Sequence, residues 1–356
     1  MAGIVTVLLG TRSYGVKVGG GLLDTLGPEA RDLALGRRCA VISDANVSPL
    51  YGARAVASLR KAGFQPVEIT VAAGEESKSM ERAQWICERM IEAGLDRKGW
   101  VVALGGGVVG DLAGFVAAIY YRGVAFIQAP TTIVAQVDSA VGGKTGVNAR
   151  NGKNLIGAFH QPRLVLADVD TLATLPEREF NEGFAEVIKH GAIRDRSLLD
   201  AVGTLDRGDL EGIIRRNIEI KARIVAADEH ERTGERALLN FGHTIGHAIE
   251  AAAGYGKLLH GEAISLGLVA ACRISVAKAG LKPEEAARVT GLLEQYRLPV
   301  RLPKGIRAEA ILEALKADKK FEEGEIRFVL CPRLGEAYVS KEVTWQDISQ
   351  ALGALV

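Results

Sequence analysis

The sequence predicts a two-part chain: an α/β domain with a parallel sheet over residues 1–175, then a mainly α-helical domain over 176–356. Three observations carry this. Short β-rich runs alternate with helix-length segments in the first half. Strand patterns nearly vanish after about residue 176. The 356 residues also exceed what one ordinary core holds.

In chain order, CAVISD (39–44) is a β-rich run ending in an acid, and PLYGARAVASLRKAG (49–63) has helical periodicity and a glycine stop. PVEITV (66–71) reads as a strand and MERAQWICERMIEAG (80–94) as a helix, again closed by glycine. WVVAL (100–104) and AFIQAP (125–130) have the continuous apolar pattern of buried strands. Strands separated by helices of this length imply a parallel sheet with helices packed on it. In the second half, LEGIIRRNIEIKARIVAADE (210–229) places Ile213, Ile214, Ile218 and Val225 near one stripe. GEAISLGLVAACRISVAKAG (261–280) is mostly apolar, Pro283 suits a first helical turn, and Thr344 with Asp347 suits an N-cap. EIRFVL (325–330) is the one strand expected there, and a ligand cleft is expected between the two domains.

Composition narrows the function. Lys and Arg total 44 against 43 for Asp and Glu, a formal charge of +1. Phosphate-backbone binding wants a basic surplus, so nucleic acid is not expected as a partner. An apolar content of 48% excludes a disordered chain. The longest apolar runs are too short to cross a bilayer, so no membrane partner is expected. MAGIVTVLLGTRSYG has neither a basic n-region nor a clear cleavage site, which argues against a signal peptide. Cys39, Cys87, Cys272 and Cys331 lie far apart with no CxxC pair. They read as core thiols of a cytoplasmic, reducing compartment.

Gly105, Gly107 and Gly110 form GxGxxG directly after strand WVVAL and before DLAGFVAAIYY. Small residues let backbone approach a pyrophosphate, and a helix N-terminus offers free N–H groups and a positive dipole end. The acid usually found about 20 residues onward is missing, because that region reads QAPTTIV. Asp44 could serve the ribose or adenine instead, and equally could cap a turn.

DSAVGGKTGVNARNGKNLIGAFHQP (138–162) sets Lys144, Lys153 and Asn154 among glycines. Flexible backbone with point-charge donors suits a substrate carrying phosphate or carboxylate. The GxxxxGK[ST] spacing fails here, which disfavours an ATPase. Farther on, NFGHTIGHAIE (240–250) puts His243 and His247 at i and i+4 on one helix face. His260 in LLHGEAISLG and Glu186 in NEGFAEVIKHG are further donors, with Lys189 and His190 close behind Glu186. Nitrogen and oxygen ligands with an open position describe a catalytic divalent site, zinc first. HTIGH is not HExxH, so a zinc protease is not expected.

Together, GGGVVGDLAGFVAA, RGVAFIQAPTTIVAQVDSAVGGKTGVN, KNLIGAFHQP, EGFAEVIKHG, LLNFGHTIGHAIE, HGEAISLG and DKKFEEGEIRFVL resemble the 3-dehydroquinate synthases, sugar phosphate cyclases, in order over most of the chain. The resemblance implies a Rossmann-like NAD-binding α/β domain and an α-helical metal-binding domain. It also implies one divalent metal (Zn2+, or Co2+) and a homodimer. The family converts 3-deoxy-D-arabino-heptulosonate 7-phosphate to 3-dehydroquinate plus phosphate, the second step of the shikimate pathway to chorismate and aromatic amino acids. Its steps are transient oxidation by NAD, β-elimination of phosphate, reduction, ring opening and aldol closure.

Residue by residue, the resemblance makes Glu186, His243 and His260 the metal ligands. It makes Lys144, Asn154, Lys189, Lys221, Arg236, Asn240 and His247 substrate-binding, and Asp138 an acid at the active centre. Arg122 matches an arginine reaching the partner subunit's substrate phosphate. Either Lys319 or Lys320 matches an anion-binding lysine, and either Glu229 or Glu231 fills the family's acidic position before Arg236. For NAD the matches are Asp44, Glu75, Lys78, Gly107, Val108, Val109, Gly110, Asp111, Thr131, Thr132, Lys144, Lys153, Thr171, Leu172, Ala173 and Thr174. Two rivals share much of this pattern. One is a related cyclase acting on another phosphorylated ketose or glucose 6-phosphate. The other is a metal-dependent polyol dehydrogenase, which would release NADH and need fewer lysines around a phosphate.

Overall fold

The computed structural model describes residues 3–150, 152–205, 209–254, 256–317 and 327–356. The chain forms two compact units. One comprises Met1–Leu175 with Lys221–Ala226, the other Pro176–Ile220 with Ala227–Val356.

The first unit starts with β1 (Gly3–Val7) and β2 (Tyr14–Gly19), an antiparallel pair. There follow α1 (Leu26–Asp32), β3 (Arg38–Asp44), α2 (Ala53–Lys61), β4 (Gln65–Val71) and α3 (Met80–Glu92). Then come β5 (Trp100–Gly105), α4 (Gly107–Ile119), β6 (Phe126–Pro130), the pair β7 (Lys144–Ala149) and β8 (Gly152–Phe159), and β9 (Leu164–Asp168). The main sheet runs β1-β2-β9-β6-β5-β3-β4 and is parallel apart from β1.

Helices cover both faces of this sheet, which is why its central strands read as unbroken apolar runs. Ala40 and Ile42 of β3 pack with Ile86, Met90, Leu112 and Phe115 of α3 and α4. Their neighbours Cys39 and Val41 point the other way, onto Leu26, Ala30, Val56 and Leu59 of α1 and α2. Trp100 is fully buried, and its indole N–H donates to the Gly36 carbonyl at 2.7 Å.

Two sequence expectations are corrected in this unit. Strands β1, β2 and β9 carry no strong pattern and were not anticipated. The stretch read as flexible glycine-rich backbone is the antiparallel hairpin β7–β8, a separate two-stranded sheet. Its glycines serve closeness, not flexibility. Gly146 faces Gly157, where a Cβ would fall 2.3 Å from the Thr145 carbonyl oxygen.

The second unit is mainly helical: α5 (Glu177–Arg194), α6 (Arg196–Gly203), α7 (Leu210–Ala227, partly in the first unit), α8 (His243–Ala253), α9 (His260–Lys278), α10 (Pro283–Gln295) and α11 (Ala308–Ala317). A hairpin of β10 (Phe328–Arg333) and β11 (Glu336–Ser340) precedes α12 (Trp345–Gly353). Ile213, Ile214, Ile218 and Val225 are buried on α7 as their stripe requires. Pro283 opens α10, and Thr344 with Asp347 forms a capping box on α12. Strand β11 corrects the expectation of a single strand here. Helix α9 is buried nearly all round from Gly261 to Ser275, and Phe184 of α5 stacks on Tyr296 at 3.7 Å between ring centroids.

Candidate active site and metal centre

In the first unit the chain leaves β3 for β4 on one side, whereas β5 leads to β6 on the other. Ligands of such sheets bind outside the strand C-termini at this reversal. Those termini are Asp44 and Gly105. Gly106 caps α4 with no side-chain hydrogen bond. A Cβ on Gly106 would come 3.1 Å from Thr132 Cγ2, and one on Gly107 would come 3.1 Å from Ser139 Oγ. The segment Gly107, Val108, Val109, Gly110 and Asp111 thus opens α4 without a side-chain cap, and its glycines let Thr132 and Ser139 pack close to a helix N-terminus whose free N–H groups suit an anion. Asp44 Oδ1 accepts from the N–H groups of Asn46 at 2.8 Å and Val47 at 3.0 Å, so it caps the turn it ends.

Beside this start, Lys78 Nζ lies 2.7 Å from Asp111 and 3.6 Å from Glu75, and Asn148 Nδ2 donates to Glu75 at 2.8 Å. Burial works against the Lys78 ammonium, but Asp111 and Glu75 outweigh it and hold the lysine above its ordinary range. Burial pushes the Asp111 carboxyl up, against the pull of Lys78. Thr131 Oγ1 and Ser43 Oγ are buried without a hydrogen-bond partner, the kind of orphan a bound ligand satisfies. Thr132 Oγ1 accepts from Ala135 N at 3.2 Å. Thr171, Leu172, Ala173 and Thr174 lie in a 3₁₀ turn after β9, where Tyr51 Oη bonds the Thr171 carbonyl at 3.1 Å and Thr174 Oγ1 at 2.7 Å. These are the groups at this sheet edge that could hold a dinucleotide.

The same unit supplies charged side chains. Asp138 sits in a π-helical turn (Ala135–Ser139), with Lys221 Nζ 2.6 Å from its carboxylate. Lys144 opens β7 and is exposed, and Lys153 and Asn154 lie on β8. Asn154 takes a φ of 58°, and its N–H donates to Asn148 Oδ1 at 2.9 Å. Arg122 is exposed in a turn where Tyr121 (φ 48°) and Arg122 (φ 66°) are both left-handed. Two such residues in succession store backbone strain, often found where a side chain must be presented outward. Lys319 and Lys320 lie outside the described residues.

The second unit builds the metal centre by close helix crossings. Gly261 meets the backbone of Glu182 on α5, and Gly267 of α9 meets the Gly242 carbonyl at the start of α8. Either crossing would be blocked by a methyl group, whose Cβ would fall 2.0 Å from a carbonyl oxygen. These contacts bring Glu186, His243 and His260 together, their ligand atoms all within 4.8 Å of one another. His243 Nε2 and His260 Nε2 each stand 3.3 Å from the same oxygen, Glu186 Oε1. Lys189 Nζ pairs with Oε2.

Glu186 is fully buried; Lys189 meets its Oε2, and Oε1 has no partner in hydrogen-bond geometry. Three donors converging on one point, the unpartnered Glu186 Oε1 among them, fit a divalent cation of the N,N,O type. Burial alone would raise the Glu186 carboxyl, but Lys189 and His243 hold it well below its ordinary range. Burial, then Lys189, pushes His243 down toward the neutral imidazole a metal requires. His243 Nδ1 faces the Phe241 carbonyl at 3.3 Å, which leaves Nε2 for the cation.

Around this centre, His247 is exposed, its ring 5.2 Å from His243 and 6.0 Å from His260. It stands beside the ligands without joining them. Asn240 ends the 3₁₀ turn Arg236–Asn240 that leads into α8. Arg236 is buried; its guanidinium donates to the Glu229 carbonyl at 2.5 Å and lies 3.9 Å from the Glu231 carboxylate. Sequence reasoning passed over two acids here. Asp228 organises the loop before Arg236, accepting from the backbone of Arg232, Thr233, Gly234 and Arg236. Glu250 is buried on α8, seven residues after His243, a spacing that could have marked it as sharing that face.

Two family descriptions match adjoining stretches of the chain: 3-dehydroquinate synthase N-terminal over residues 68–182, and 3-dehydroquinate synthase C-terminal over 183–321. The chain belongs to the 3-dehydroquinate synthase family. A relative named 3-dehydroquinate synthase from Symbiobacterium thermophilum is 49% identical over 98% of this chain and 99% of its own. Among solved structures, 2-epi-5-epi-valiolone synthase from Streptomyces hygroscopicus subsp. jinggangensis, with NAD+ and Zn2+ bound, is 30% identical with a TM-score of 0.87 over 96% of each chain. A 2-deoxy-scyllo-inosose synthase complexed with carbaglucose-6-phosphate, NAD+ and Co2+ is 26% identical with a TM-score of 0.88, covering 99% of this chain and 100% of its own.

Proposed function

We propose that this chain converts 3-deoxy-D-arabino-heptulosonate 7-phosphate to 3-dehydroquinate and phosphate, with NAD held by the first unit and a divalent metal by the second. The observation that carries this reading is the convergence of Glu186, His243 and His260 on one point, with Glu186 Oε1 left for a cation and Oε2 held by Lys189. When bound, NAD supplies reversible hydride transfer and the metal supplies Lewis acidity.

The chain's own residues do the rest. Gly107–Asp111 and Thr131 cradle the dinucleotide. Lys144, Asn154 and Lys221 hold the substrate's anionic groups, and Arg236, Asn240, Lys189 and His247 do so from the second unit. Asp138, paired with Lys221, is placed to orient that cation or accept a proton. A phosphate held by cations departs more readily, because its developing charge is already met.

We also infer a homodimer. Arg122 is exposed beside Tyr121, and β8 carries the exposed apolar residues Leu155, Ile156 and Phe159. In that dimer Arg122 serves the partner subunit's substrate phosphate. The four cysteines are free thiols, in keeping with a cytoplasmic enzyme.

The test gives the purified protein the heptulosonate phosphate, NAD and zinc. Phosphate and 3-dehydroquinate should form in equal amounts without net NADH. Accumulating NADH, or turnover of glucose 6-phosphate in its place, would defeat the reading.

A further inference from the structure

We propose that Glu250 is a positioning residue for the metal centre: its carboxylate faces His260 Nδ1, keeps the proton on that nitrogen and leaves Nε2 as the ligand atom. The observation is one of edges. His260 turns Nε2 toward Glu186 at 3.3 Å, and its opposite edge, Nδ1, lies 3.9 Å from Glu250 Oε2. Glu250 is only 5% exposed, and a carboxylate is rarely buried on an apolar helix face without a charged or polar group to meet it. It projects from the face of α8 that carries His243, two turns farther along.

The neighbouring acid Glu182 has a task of its own: its Oε2 accepts the Gly261 N–H at 2.9 Å at the start of α9. The two imidazoles are thus oriented by different means. His243 has a backbone carbonyl at Nδ1, and His260 has a carboxylate. A carboxylate makes the ring a stronger donor than a carbonyl does, so Glu250 raises metal affinity through His260.

The inference rests on the metal reading, and its test separates the two. Zinc is titrated into metal-free protein against a chromophoric chelator, and Co2+ is followed by its visible absorption. Glu250→Gln keeps the shape and an acceptor but loses the charge, and should bind zinc about tenfold more weakly; Glu250→Ala should approach about 100-fold. The Co2+ bands of Glu250→Ala should shift while its far-ultraviolet circular dichroism stays unchanged. Wild-type zinc affinity in Glu250→Gln overturns the proposal, even if Glu250→Ala fails to fold. So does a variant that melts lower when metal-free yet binds zinc normally. Wild-type protein that takes up no zinc refutes the metal centre itself.

Discussion

Replacing Gly261 with alanine should separate the metal ligands without touching any of them. The added Cβ would sit 2.0 Å from the Glu182 carbonyl oxygen, 2.7 Å from its carbon and 3.0 Å from its Cα. All three are backbone atoms, so no side chain can swing away. Packed interiors leave no slack, and α5 and α9 must part by about 1.4 Å to bring that contact from 2.0 Å to an ordinary 3.4 Å. His260 directly precedes Gly261, and Glu186 lies one turn beyond Glu182, so the displacement feeds into the 3.3 Å gap between their ligand atoms. Metal sites tolerate about 0.2 Å in ligand distance, several times less than this shift. Overpacking of this kind costs about 1–3 kcal/mol, which lowers the melting temperature by a few degrees for each kcal/mol.

The assay is thermal melting of the metal-free protein together with zinc titration. Gly261→Ala should lose both stability and about tenfold or more in zinc affinity. Gly291 on α10 is the control: a Cβ there meets nothing within 4 Å, so Gly291→Ala should stabilise by about 0.5–1 kcal/mol. A Gly261→Ala variant that melts and binds zinc like wild type would refute the idea that this crossing sets the ligand distances.

Three further outcomes are expected. Lys144→Ala removes an exposed ammonium from the substrate's anions, and kcat/KM should fall about 100-fold or more; unchanged kcat and KM would remove Lys144 from the site. Asp228 is held down to about 2, since hydrogen bonds from the backbone of Arg232, Arg236 and Thr233 outweigh its burial. Its stabilisation, about 1.5–3 kcal/mol for a charged acceptor, is full above the ordinary carboxyl value and disappears as pH falls through about 2. The urea-midpoint gap between wild type and Asp228→Asn should therefore narrow below about pH 4, and a gap that is constant with pH would contradict this. Mixing Arg122→Ala with Lys189→Ala should restore activity in hybrid dimers if Arg122 serves the neighbouring subunit; none despite proven subunit exchange would count against that role.

How legible each part was in the sequence follows from how local its physics is. Pro283 at the head of α10 and the Thr344–Asp347 box of α12 act within one turn, so their patterns sufficed. Strands β3, β5 and β6 were legible because both faces are covered, leaving no polar alternation to confuse them. The hairpin β7–β8 was hidden by its own glycines, which read as a loop until their pairing at 146 and 157 is seen. Strand β9 is five residues long and β11 alternates weakly, too little pattern to register. The acid Glu250 was passed over for another reason, although its spacing from His243 hinted at a shared face. An acid on a helix usually faces water, and only the crossing of α8 with α9 turns this one toward His260.

That crossing says what the glycines of the metal motifs are for. In NFGHTIGH and HGEAISLG each ligand histidine adjoins a glycine: Gly242 precedes His243, and Gly261 follows His260. Gly242 takes a φ of 79° and offers its carbonyl to the close approach of Gly267. Gly261 lets α9 ride on the backbone of α5. Each motif thus encodes a ligand together with the distance at which its helix meets the next, because the missing Cβ fixes how near two backbones come. The metal geometry is then a consequence of helix packing. Ligand and glycine should therefore fail alike in a zinc titration, and only the ligand substitutions should do so without a loss of packing stability.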